Sequence, residues 1–102
     1  MILGSEVLKN PSIKQKLINA SFLKWSSEKS TEPQYQGRVL DVIDNVLSVS
    51  YYELMFGNVN DDGMVSDMEL DQYIFFDSTL EMKANSKKSM QSVINANAGE
   101  AA

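Results

Sequence analysis

The stretch Asn58-Val59-Asn60-Asp61-Asp62-Gly63 interrupts two long apolar runs, so any fold of this chain must accommodate a polar turn at that point. Before it, from Arg38 to Phe56, the apolar residues Val39, Val42, Ile43, Val46, Leu47 and Leu54 recur at spacings of three and four. The run is rich in β-branched residues, which favours strands by propensity. Its length without an evident turn favours a helix, and the spacing predicts one over 38–56, ended by Gly57. After the turn, Ser66-Asp67-Met68-Glu69 reads as a capping box. Met68, Leu70, Tyr73, Ile74, Phe76 and Leu80 then predict a second helix over 67–84.

Two further helices complete the expected fold. Asn10-Pro11 is a helix start, with Asn as cap and Pro in the first turn. Ile13, Leu17, Ile18, Phe22 and Trp25 follow at helical spacing, predicting a helix over 11–28 that ends in a polar run closed by Pro33. Met90, Val93 and Ile94 mark a weaker helix over 86–97. The expectation is one domain spanning 1–102, all-α, a small bundle of about four helices with a helix–loop–helix at its centre.

The chemistry expected of positions 58–69 follows from oxygen atoms at regular intervals. Calcium takes six to eight oxygen ligands, and a twelve-residue loop supplies them from fixed positions. With Asn58 first, Asn60 and Asp62 fall third and fifth, and Gly63 sits sixth as a structural turn residue. Met64 is seventh with a backbone carbonyl, Ser66 ninth and Glu69 twelfth. This pattern resembles the EF-hand family, and residues 56–63 are also similar to the calcium loops of dockerin modules; the likeness covers residues 46–76. It implies that Asn58, Asn60, Asp62, Met64, Ser66 and Glu69 hold Ca²⁺ and that the apolar Val65 pairs with a second loop, here in a homodimer. Only Asp62 and Glu69 among these are anionic, so binding is expected to be weak, on the order of 10⁻⁴ to 10⁻³ M. The alternative is a polar turn that binds no ion, in a helical interaction or assembly subunit of a larger complex.

Charge and composition narrow the function classes. Residues 1–39 carry six Lys and Arg against three acids, and residues 40–102 carry three Lys against eleven acids, local balances of +3 and −8. The acidic second half argues against nucleic acid. The chain has no Cys and no His, which excludes disulfides, thiolate or imidazole metal sites and every relay through histidine, so a non-enzymatic role is expected. No run is long enough for a membrane span. The first residues lack the basic region and apolar core of a secretory signal, which points to the cytoplasm by default or to secretion after processing. A protein partner or self-association is expected, with the aromatic pairs Tyr51, Tyr52, Phe75 and Phe76 as its surface, since adjacent rings cannot all face one core.

Overall fold

The computed structural model describes residues 1–27, 29–53 and 61–101, with backbone alone at 52, 53, 61 and 97–101. In chain order it shows β1 (Ile2–Leu3), α1 (Gly4–Lys9), a 3₁₀ helix (Pro11–Leu17), β2 (Ser21–Lys24), β3 (Tyr35–Ile43), β4 (Val46–Glu53) and β5 (Asp61–Val65). A second 3₁₀ helix (Asp67–Gln72), β6 (Tyr73–Phe76), α2 (Thr79–Ala84) and α3 (Met90–Ala101) follow. The strands form one six-stranded sheet in the order β1-β6-β2-β3-β4-β5, with every neighbouring pair antiparallel. The expected all-α bundle is therefore wrong.

Its central error lies in the run from Arg38 to Phe56. Asp44 and Asn45 both have positive φ, 51° and 64°, a conformation these two residues tolerate better than others and one that suits a two-residue hairpin turn. The chain reverses there, and β3 and β4 pair from Ile43↔Val46 back to Tyr35↔Glu53. A bulge between Val39 and Asp41 inserts one residue. Val39 and Val42 thus both face the core although they are three residues apart. Bulge and turn together imitate the period of a helix.

The other misplaced helices have comparable causes. Asn10-Pro11 does begin a helix, but a 3₁₀ helix that ends at Leu17; Asn19 then turns the chain at φ 73°, and Phe22 and Trp25 belong to β2 and the residue after it. Ser66 does cap a helix, its hydroxyl accepting from the Met68 amide at 3.2 Å. That helix is one short 3₁₀ segment, and Tyr73-Ile74-Phe75-Phe76 continues as a strand. At the C-terminal end a helix stands where one was expected, with Met90 and Val93 buried.

β6 explains its own composition. All four of its residues are buried, as in strands covered on both faces, where alternation disappears. On one face Tyr73 and Phe75 join Phe22, Val39, Leu47, Val49, Val65, Leu70, Val7 and Leu17. This core lies beneath α1 and the two 3₁₀ helices. On the other face Ile74 and Phe76 join Leu23, Trp25, Met82, Met90 and Val93 under α2 and α3. Each buried large side chain contributes about 1.5–3 kcal/mol. The Trp25 Nε1–H donates to the Lys88 carbonyl at 2.9 Å, tying the α2–α3 turn to the end of β2.

Candidate functional site

Among the described residues, helices cover the second face of the sheet along only half its width. Over β1, β6 and β2 it lies under α2 and α3. Over β3, β4 and β5 no described helix covers it. Because Val39, Val42, Leu47, Val49 and Val65 point into the first core, their neighbours must point out onto this second face. Three cross-strand rows result. Arg38, Ser50 and Asp62 make one, Asp41, Ser48 and Met64 the next, and Ile43 with Val46 the last, with Leu40 at the bulge between the first two. Leu40 is 40% exposed, Ile43 48% and Met64 49%, whereas Ser50, in the first row, is buried at 7%.

α2 borders this open area. The Ser78 hydroxyl caps α2 by accepting from the Glu81 amide, and the hydroxyls of Thr79 and Ser21 lie 3.0 Å apart. Ser21 pairs with Arg38, so the first row continues directly to the foot of α2. Leu80, the next residue, is 81% exposed. The floor of the area is strand and its wall is the start of α2.

Beneath the sheet, two polar contacts hold the turns that frame it. The Lys14 side chain is buried, and its Nζ donates to the Asn45 carbonyl at 2.7 Å and to Asp67 Oδ1 at 2.9 Å. One ammonium thus joins the first 3₁₀ helix to the β3–β4 turn and to the start of the second 3₁₀ helix. The hydroxyls of Tyr51 and Tyr73 lie 2.7 Å apart, within an aromatic group that includes Phe22 and Phe75. Burial pushes both phenols above their ordinary range, Tyr73 furthest, and the nearby Glu69 carboxylate adds to the effect. The shared proton sits better on Tyr73, so the hydrogen bond opposes ionisation there and eases it at Tyr51.

This raises a testable pH dependence. A free phenol ionises near pH 10. Since both phenols stay neutral to higher pH in the folded chain, their contribution to stability is intact below about pH 10 and declines above it, as the unfolded chain releases protons first. Stability should therefore fall as pH rises above that point, with Tyr73, the more strongly raised, contributing the larger part. Urea midpoints measured from pH 9 to 12 should fall accordingly, and the Tyr51→Phe/Tyr73→Phe variant should flatten the decline. An equal slope in that variant would contradict the assignment.

The residues expected to bind calcium do not sit in a helix–loop–helix. The segments expected as its flanking helices, 38–56 and 67–84, contain β3, β4 and β6. Asn58 and Asn60 lie outside the described residues. Asp62 and Met64 are on β5, on the open face; Ser66 caps the second 3₁₀ helix and Glu69 lies within it. Gly63 is a strand residue whose missing Cβ leaves room for the Tyr51 ring, which an added Cβ would meet at 2.9 Å. Among the described residues no group of three or more Asp, Glu, His or Cys could hold a metal ion. The metal-binding and EF-hand-like description is therefore withdrawn.

No protein family, no curated protein and no solved structure matches this chain.

The expected partner surface also changes. Phe75 and Phe76 are each 1% exposed, one facing each core; two cores resolve the conflict between adjacent rings. Tyr51 is half-buried against Tyr73, and the Tyr52 side chain lies outside the described set. Val65, expected at a dimer contact, is buried. The spacing makes Ile43 and Leu80 apolar positions of expected helices, and Leu40 falls within one of them, so none is expected at a surface. Among the described residues no helix is long and apolar enough to cross a membrane.

Proposed function

We propose that this chain is a non-enzymatic, metal-independent interaction module that docks protein on the open face of β3, β4 and β5. The observation that carries this reading is the unequal covering of one sheet face. Half of it is sealed by α2 and α3, while the other half exposes Leu40 and Ile43 on β3 and Met64 on β5. Scattered apolar residues are ordinary on a surface, whereas a contiguous set on a flat strand face with a polar rim marks a contact site. The face carries Asp41 and Asp62, with Asp44 in the β3–β4 turn, against Arg38. That balance favours a protein partner with cationic groups over nucleic acid, whose phosphates it would repel.

Absence of Cys and His and the satisfied state of the buried polar groups support a non-catalytic role. Lys14 and Tyr73 are both committed to internal partners.

Photo-crosslinking tests the reading. A photoreactive amino acid replacing Ser48, in the middle row of the open face, should yield a discrete cross-linked protein species in cells. The same group at Leu8, an exposed position on α1 beyond the opposite face, should yield none. In extracts, neither a chelator nor about 5 mM calcium, above the Kd range of weak calcium modules, should alter the Ser48 product. Equal labelling from both positions, or loss of the product on chelation, would overturn the proposal.

A further inference from the structure

Resting on the reading above, we infer that the occupant of the open face is α2 with the turn that follows it, from a second copy of this chain, seated reciprocally in a two-fold dimer. The start of α2 borders the open face through the Ser21–Thr79 contact and presents an exposed apolar side chain, Leu80. Beyond it Lys83, Lys87 and Lys88 are all exposed. The region thus offers an apolar residue followed by three cations, with Asp77 and Glu81 as its acids, a balance of +1. The open face offers apolar residues among three acids and one Arg, a balance of −2. Each surface carries what the other lacks.

Placement makes the pairing reciprocal. The two surfaces lie side by side on one sheet face, so a two-fold axis near the Ser21–Arg38 row brings α2 of each copy over β3–β5 of the other. Such an isologous arrangement is the commonest closed symmetry. It covers the uncovered half of both sheets, and no residue of either core has to move. Direct stacking of one open face on the other would instead set acid against acid.

The test uses two charge-reversed forms of the full chain. Asp41→Lys/Asp62→Lys makes the open face cationic and leaves the segment of α2 and its following turn cationic; Lys83→Glu/Lys87→Glu makes that segment anionic and leaves the face anionic. Light scattering after size-exclusion chromatography across a dilution series should find the unaltered chain as a dimer that raised salt weakens. Each variant alone should associate at least about tenfold more weakly. Their equimolar mixture should restore the dimer, because face and helix then differ in sign across both contacts. Restoration also shows that both variants fold.

A monomer at every concentration up to about 1 mM, a weak-binding limit, overturns the dimer, as do variants that still dimerise alone or a mixture that does not. Should the purified chain be monomeric while Ser48 cross-links a different protein in cells, the docking face stands and only the identity of its occupant falls.

Discussion

Gly37→Ala is expected to destabilise the fold by about 3 kcal/mol or more, at the upper end of the cost of overpacking. An added Cβ would stand 2.1 Å from the Ser50 carbonyl oxygen and 2.7 Å from Phe22 Cζ. Neither neighbour can yield easily. The carbonyl is backbone in β4, the ladder partner of β3. The Phe22 ring is fully buried, with centroids 5.6 Å from Tyr51, 5.3 Å from Tyr73 and 6.2 Å from Phe75. Either β3 and β4 separate or the aromatic group repacks, and total stability in domains is only about 5–15 kcal/mol. Gly63→Ala should cost less than half as much, since its closest approach, 2.9 Å, is to the Tyr51 ring, which can tilt. Urea denaturation of both variants gives the comparison; near-equal costs would contradict this packing.

Asp67→Ala should cost about 3 kcal/mol although the Asp67 side chain is 61% exposed. The reason lies with its partner. Lys14 is 2% exposed, and without Asp67 its buried ammonium keeps only the Asn45 carbonyl. Lys14→Met should cost less, about 2 kcal/mol, because Asp67 and Asn45 are exposed and regain water. The double variant should resemble Lys14→Met alone. A thermal or urea double-mutant cycle reads this directly. If Asp67→Ala were within about 0.5 kcal/mol of the unaltered chain, as an ordinary surface substitution would be, the buried lysine would not depend on it.

These two contacts also show what the sequence revealed and what it concealed. Local signals were legible. Asn10-Pro11 begins a helix, Ser66 caps one, Trp25 is buried, and Met90 and Val93 anchor a C-terminal helix. Concealment came from features that shift periodicity. One bulged residue near Leu40 and a two-residue turn at Asp44-Asn45 converted a strand alternation into spacings of three and four. Leu47, Ser48, Val49 and Ser50 alternate strictly, and read from a turn at 44–45 they would have placed Ile43 and Val46 on the outer face. β6 concealed itself differently, since a strand buried on both sides has no period to read.

The oxygen-rich residues after Gly57 misled for a related reason. Asn, Asp and Gly at short intervals are what any turn uses, and the EF-hand reading additionally requires a helix on each side of the loop. β4 precedes that stretch and β5 begins at Asp61, so the flanking helices of the expected helix–loop–helix are not there, while Asn58 and Asn60 lie outside the described residues. The open face, by contrast, requires long-range pairing to exist at all. Met64 meets Ser48 only because β4 and β5 align in that register.

Methyl-resolved NMR of the purified chain across a dilution series would test most directly the dimer formed on the docking face. The account predicts concentration-dependent shifts at Leu40, Ile43, Met64 and Leu80, with the fully buried Val39 and Leu47 and the exposed but distant Leu8 unchanged. Shifts confined to Leu8 or Met68, or a spectrum indifferent to concentration, would contradict the dimer.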